Sequence, residues 1–202
     1  MLKLYYSPGA CALASHIVLE EAGADYQAHK IDLRAGEQKT PEYLAINPAG
    51  STPALETDKG VLTQNAAIMG YVAQQHPAAG LAPTDPFELA QLQAFNGFLA
   101  SSVHPALGRT LFGGLKDQAR EEAAALAFTK LQLVEDKLID EPWVFGERYT
   151  AADGYLSVFT RWARQAAMLD AERFPKLNAH LDRVQARPAV QRVLAAEGIA
   201  PV

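Results

Sequence analysis

The spacing of apolar residues changes character near residue 80. Before that point, short apolar runs alternate with helical ones. Leu2 to Tyr6 reads as a strand, Ala12 to Ala22 as a helix stopped at Gly23, and Tyr26 to Ile31 as a second strand. This succession is a βαβ unit, which places its strands in parallel. A short helix near Glu42 to Ile46 follows. Pro53 to Glu56 and Val61 to Thr63 then flank Thr57-Asp58-Lys59-Gly60, the composition of a hairpin turn. A further helix spans Asn65 to Gln75.

The stretch from Pro77 to Pro86 contains three prolines and a glycine and marks the boundary. Residues 1–78 therefore read as an α/β domain, 79–86 as a linker and 87–202 as an all-helical domain. In the second part Phe87, Leu89, Leu92, Phe95, Leu99 and Val103 recur at helical spacing and predict a packed face. Asp117 to Leu138 is rich in Ala, Glu, Lys and Leu and reads as helical. Thr150-Ala151-Ala152-Asp153 precedes an apolar helical segment and has the form of a capping box, which assigns Asp153 to a helix start rather than to catalysis.

Composition narrows the function classes. The 202 residues are 49% hydrophobic and 20% charged, with a net charge of -5 and no basic block, so nucleic acid is not expected as a partner. No signal peptide or bilayer-spanning stretch is visible, and one cysteine fits a reducing compartment, so the expected location is the cytoplasm and no membrane association is expected. The histidines form no ligand pattern, and no metal is expected.

Cys11 is the first candidate for chemistry, because it lies where the strand passes through Pro8-Gly9 into the first helix. Unpaired N–H groups and about half a positive charge at a helix start favour a thiolate and lower its pKa. The alternative is a small buried hydrophobe. Asn47-Pro48-Ala49-Gly50-Ser51-Thr52-Pro53 is a turn into a strand, with Pro53 a candidate cis-proline whose neighbour Thr52 could offer main-chain groups to an extended ligand. The competing reading is an ordinary trans proline. Asn65 reads as an N-cap, or, with Gln64, as a helix start that binds a carboxylate. His104 is either a packing residue or an acid–base group.

Together these motifs resemble a known family. Lys3-Leu4-Tyr5-Tyr6-Ser7-Pro8-Gly9-Ala10-Cys11, Tyr43-Leu44-Ala45-Ile46-Asn47-Pro48, Thr52-Pro53-Ala54-Leu55, Leu62-Thr63-Gln64-Asn65-Ala66-Ala67-Ile68 and Thr150-Ala151-Ala152-Asp153 are similar to the cytosolic glutathione transferases, bacterial beta class, over nearly the whole chain. The resemblance implies a thioredoxin-like N-terminal domain (βαβ-α-ββα), an all-helical C-terminal domain and a homodimer. It also implies glutathione as co-substrate, no tightly bound cofactor, and a small apolar electrophile. It places Cys11 beside the glutathione sulfur, Thr52 and Pro53 against its cysteinyl backbone, and Gln64 and Asn65 at its γ-glutamyl end. From the second domain it brings His104 near the sulfur, Ser101 as a polar neighbour, and Trp162, with Tyr6 of the first domain, at the electrophile pocket.

The chain departs from the beta-class pattern at several positions. Gln64 replaces an acid, Pro105 a lysine, Gly97 an asparagine and Gly36 a lysine. Arg34, Lys39 and Arg109 are basic residues available to compensate. Maleylacetoacetate isomerases carry Ser-Ser-x-Cys where this chain has Pro8-Gly9-Ala10-Cys11. Three functions follow: transfer of glutathione to apolar electrophiles, glutathione-dependent thiol reduction through Cys11, or ligand binding without catalysis.

Overall fold

A computed structural model describes residues 1–202. The chain separates into two compact units, Met1–Ala82 with Arg187–Pro201, and Pro83–Ala186 with Val202. In the first unit, β1 (Leu2–Tyr6), α1 (Leu13–Glu21) and β2 (Tyr26–Lys30) are followed by α2 (Pro41–Ile46), β3 (Ala54–Thr57), β4 (Gly60–Thr63) and α3 (Asn65–Gln75). The strands form one mixed sheet in the order β2-β1-β3-β4. Leu4 pairs in parallel register with Ala28 and in antiparallel register with Leu55, which itself faces Leu62 on β4. Strand alternation then assigns the faces. Tyr5 and Ala54 pack with Ile31 and with Tyr43 of α2. Leu4 and Leu55 point the other way and are fully buried. Every residue of α1 from Leu13 to Leu19 is buried, polar Ser15 and His16 included, since the helix packs against β1 and α3. The hairpin turn forms as its composition predicts, closed by the Thr57 hydroxyl donating to the Gly60 carbonyl at 2.8 Å.

The second unit is helical: α4 (Pro86–Phe98), α5 (His104–Phe112), α6 (Asp117–Leu133), α7 (Ala151–Gln165) and α8 (Pro175–Gln185). Asp85 starts α4 by accepting the N–H groups of Phe87 and Glu88 at 2.9 and 3.0 Å. Leu92, Phe95, Leu99 and Val103 are buried as the periodicity predicts. Phe87 is not; it is 71% exposed, because five residues before Leu92 lies roughly 140° around the helix from the packed face. Wide π turns join α4 to α5 at Leu99–Val103 and extend α6 at Val134–Leu138, so the helical stretch over 117–138 changes pitch within its last turn.

Helix α7 is the core of this unit, with Ala151 to Ala163 all buried against α4, α5 and α8. Its start is the predicted capping box. Asp153 Oδ2 accepts the Thr150 N–H at 2.7 Å and the Thr150 hydroxyl at 3.0 Å. Its Oδ1 accepts the Val144 N–H at 2.7 Å and lies 3.0 Å from His180 Nε2. This one carboxylate, with no solvent exposure, ties a helix start, a loop and α8 together.

The last helix, α9 (Pro188–Glu197), packs against α1 in the first unit, whereas the division at 79–86 assigns it to the helical domain. Its attachment is polar and long-range. Glu197 Oε1 lies 2.8 Å from His16 Nδ1, and Arg187 forms a two-pronged pair with Glu21 at 2.5 and 2.8 Å. No helix is long and apolar enough to cross a membrane.

Candidate functional site

Cys11 lies in the turn between β1 and α1, two residues before the helix begins. Gly9, at φ +68°, supplies the left-handed residue that the turn requires. Its N–H donates to Glu197 Oε2 at 2.8 Å, so the carboxylate that meets His16 also holds this turn. Cys11 is half-buried as a residue, and its Sγ–H donates to the Thr52 carbonyl at 3.6 Å. Burial pushes the thiol pKa up, while the Asn65 side-chain amide and the N–H groups of Cys11 and Ala12 pull it down. The net direction is upward. This corrects the lowered pKa expected from the helix start: the helix N–H groups act as predicted, but loss of hydration outweighs them.

Thr52 is placed by the loop before it. The Tyr43 hydroxyl and the Asn47 amide both donate to the Ser51 carbonyl, at 2.8 and 2.6 Å, and Asn47 Oδ1 accepts the Ala49 N–H at 3.1 Å. The Thr52-Pro53 peptide is cis, the alternative that favours ligand contact. Gly50 has φ +58°, and a Cβ there would come 2.9 Å from the Gln38 carbonyl and 2.7 Å from Lys39 Nζ. No larger residue fits that corner, and the Lys39 ammonium therefore lies over this loop. Tyr43 and Asn47 shape the loop although the sequence reading gave them no role beyond the family motif.

The start of α3 differs from expectation. Asn65 is the first helical residue rather than the N-cap, and its side chain is buried, accepting the Ser15 hydroxyl at 2.7 Å on Oδ1. Gln64 precedes it with φ +70° and ψ +123°, an uncommon conformation for a residue with a Cβ. Such strain costs of order 1–3 kcal/mol and clusters at ligand sites. The Gln64 side chain is exposed. Cys11, Thr52, Pro53 and Asn65 thus come together within the first unit. Gly36 has φ +80°, where a lysine would be strained.

In the second unit His104 stands where the π turn meets α5, its N–H reaching back to the Leu99 carbonyl. Pro105 follows and accounts for the wide turn: it has no N–H to return to the preceding turn, and its ring displaces the carbonyl there. The His104 ring lies 5.3 Å from Phe159 and 5.4 Å from Trp162. Burial lowers its pKa, so the neutral imidazole prevails at pH 7. Ser101 is exposed one turn earlier. Trp162 is buried, and exposed Phe112 meets it edge-on at 5.3 Å, an aromatic neighbour the sequence reading missed because Phe112 has no periodic partner in the chain. Tyr6 is buried in the first unit with its ring 5.0 Å from His16, which leaves little of it to face a ligand. No group of three or more His, Cys, Asp or Glu is arranged to hold a metal ion.

A parallel βαβ unit followed by an antiparallel ββα unit, with a thiol before the first helix facing a residue that precedes a cis-proline, defines a thioredoxin-like fold with a thiol site. Known proteins extend this to the whole chain. Residues 1–74 match the family model of the glutathione S-transferase N-terminal domain, and 117–183 that of the C-terminal domain. Glutathione S-transferase GstA of Escherichia coli O157:H7 is 36% identical, over 98% of this chain and all of its own length. The bacterial beta class glutathione S-transferase of Sphingomonas chungbukensis has 38% identity and a TM-score of 0.89 over 98% of this chain and 100% of its own. A glutathione transferase homologue from Sulfitobacter, solved with bound glutathione, has 34% identity and a TM-score of 0.90 over 99% of each chain. The chain belongs to the glutathione S-transferase family, and its fold and resemblance are those of the bacterial beta class.

Proposed function

We propose that this glutathione transferase binds glutathione along the edge of its first unit and transfers the thiolate to a small apolar electrophile. The observation that carries the reading is the convergence of the Cys11 thiol, the Thr52 carbonyl and the start of α3 in one place. In this reading the Thr52 main chain pairs with the cysteinyl backbone beside cis Pro53, and the γ-glutamyl carboxylate meets Gln64 and the free N–H groups at the start of α3. Lys39 supplies the cation that Gly36 cannot, since its ammonium already lies over Gly50. Because burial keeps the Cys11 thiol protonated, it serves, by turning its S–H from the Thr52 carbonyl when ligand binds, as a hydrogen-bond donor to the glutathione sulfur rather than as the main nucleophile. Neutral His104 is suited to accept a proton, with Ser101 as its polar neighbour. Phe112, backed by Trp162, offers an aromatic surface for the electrophile. The Sulfitobacter homologue, solved with bound glutathione, supports the choice of thiol. The expected homodimer and cytoplasmic location belong to the same reading.

A second reaction is open to the half-buried Cys11. A Cys11 thiolate attacks the glutathione sulfur of a mixed disulfide, the S–S bond breaks, and the other thiol leaves as a thiolate and takes a proton. Cys11 is then joined to glutathione, and a second glutathione thiolate attacks the bound glutathione sulfur, yielding glutathione disulfide and free Cys11. The chain has no second cysteine to resolve the intermediate itself. Cys11→Ala tests the division: disulfide reduction is abolished while conjugation to a chloronitrobenzene persists in part. Equal loss of both activities refutes it, and a parent protein that shows no glutathione binding by calorimetry refutes the whole reading.

A further inference from the structure

The loop between α2 and β3 carries a polar device to which neither reaction described above gives a task. The Ser51 carbonyl accepts two hydrogen bonds, from the Tyr43 hydroxyl at 2.8 Å and from the Asn47 side-chain amide at 2.6 Å. A carbonyl oxygen has two lone pairs, and both are engaged. Each donor is itself fixed. Tyr43 is buried on α2 and packs with Tyr5, Ile31 and Ala54. Asn47 is buried too, and its Oδ1 accepts the Ala49 N–H at 3.1 Å, which commits its NH2 to the Ser51 side.

The Ser51 carbonyl and the Thr52 N–H belong to one peptide unit. That unit is trans, since the cis bonds of the chain are Thr52-Pro53 and Glu141-Pro142. In a planar trans peptide the C=O and the N–H point in opposite directions. Holding the oxygen on Tyr43 and Asn47 therefore turns the Thr52 N–H away from them, and there it has no acceptor within the chain. The reverse orientation is disfavoured twice. It breaks both hydrogen bonds, and it sets the Thr52 N–H against the Asn47 NH2, donor to donor.

We propose that Tyr43 and Asn47 are positioning residues for glutathione: their two-donor clamp on the Ser51 carbonyl holds the Ser51-Thr52 peptide in the orientation that offers the Thr52 N–H to the cysteinyl carbonyl of the tripeptide. A ligand that needs one of two orientations binds more weakly by the fraction of protein that holds it, so the clamp acts on affinity. It does not act on the chemical step, because the bound complex has the peptide in the same orientation with or without the clamp. The consequence for binding rests on the proposed function, whereas the orientation of the peptide is tested without glutathione.

Two isosteric variants of the full-length protein provide the experiment. Tyr43→Phe removes one donor and keeps the ring in its packing. Asn47→Asp keeps an acceptor for the Ala49 N–H but replaces the other donor by a carboxylate oxygen, which repels the Ser51 carbonyl and attracts the Thr52 N–H. Calorimetry should show the dissociation constant for glutathione raised about three- to tenfold in Tyr43→Phe, and further in Asn47→Asp. The glutathione KM should rise in parallel, with kcat at saturating glutathione and KM for a chloronitrobenzene within about twofold of the parent. Without ligand, nitrogen relaxation dispersion at the Thr52 amide should be flat in the parent and gain an exchange contribution in Tyr43→Phe, and the amide shift should move in Asn47→Asp. A packing role alone predicts that both variants, which preserve shape, bind as the parent does. Unchanged dissociation constants, a loss of kcat with KM unaltered, or Thr52 amide signals identical to the parent's in both variants overturns the proposal. If the parent binds glutathione and the variants bind it equally well, the clamp falls and the ligand reading stands. If the parent does not bind it, the ligand reading falls, and the proposal with it, whatever the Thr52 signals show of the peptide.

Discussion

Replacing Asp153 by asparagine separates structural from catalytic roles for the most enclosed acid in the chain. Its two oxygens serve different donors, Oδ1 the Val144 N–H and His180, Oδ2 the Thr150 N–H and hydroxyl. Asparagine places an NH2 at one of these positions. His180 and the Thr150 hydroxyl can each turn an acceptor toward it, but a backbone N–H cannot. In either orientation one buried backbone donor, of Val144 or Thr150, is left facing another donor, at a cost of about 1–3 kcal/mol. Loss of the negative charge weakens the bonds that survive by about 1 kcal/mol. The sum is about 2–4 kcal/mol, which for a chain of this length lowers the unfolding midpoint by roughly 5–15 °C. Scanning calorimetry measures the midpoint, and initial rates at 15 °C measure activity in the folded protein. The folded variant should turn over glutathione within about twofold of the parent, since Asp153 has no solvent-accessible surface through which to meet substrate. An unchanged midpoint, or a large loss of turnover in a protein that remains folded, would refute this assignment.

Two further predictions concern the helical unit. The His104 imidazole should titrate below the ordinary 6.5, because burial disfavours its charged form. Between the folded pKa and 6.5 the unfolded chain holds a proton that the folded chain lacks, so this group makes stability fall as pH falls through that window. An imidazole proton signal with its midpoint above 6.5 would contradict the proton-acceptor role. Phe112→Ala should raise KM for an aromatic electrophile by about three- to tenfold, the effect of about 1 kcal/mol of ring contact, and leave KM for glutathione unchanged. A matching rise in the glutathione KM would remove Phe112 from the electrophile surface.

Much of this site is legible along the chain because its parts are local motifs. The Pro8-Gly9 turn before Cys11 and the capping box at Thr150 each act within a few residues and form as their sequence suggests, whereas the cis Thr52-Pro53 peptide follows from the family resemblance and not from the local residues. The Cys11 ionisation was not legible, because it is a balance between burial and a handful of N–H donors, and burial is set by the rest of the fold. The buried partner of the Asn65 side chain was not legible for a related reason. A polar residue at a helix start has a local use, and nothing in its neighbourhood announces a partner at Ser15 on another helix. Phe87 fell outside the buried face because a series of apolar residues identifies a helix more readily than it fixes each member's angle.

The sequence by itself determined the order of strands and helices, the change to an all-helical chain after the proline-rich stretch, and the residues able to do thiol chemistry. These depend on backbone periodicity, turn residues and side-chain type, all of which act over short distances along the chain. Tertiary structure decided that α9 joins the first unit, that Glu197 holds the turn before Cys11, and that the buried Asn65 side chain pairs with Ser15 on another helix. Hydrogen bonds and burial act through space, between residues up to 188 positions apart, and a pairing at that separation exists only once the chain has folded. Cys11 shows the difference most directly: its place before a helix is written in the sequence, and its protonation is set by what packs around it.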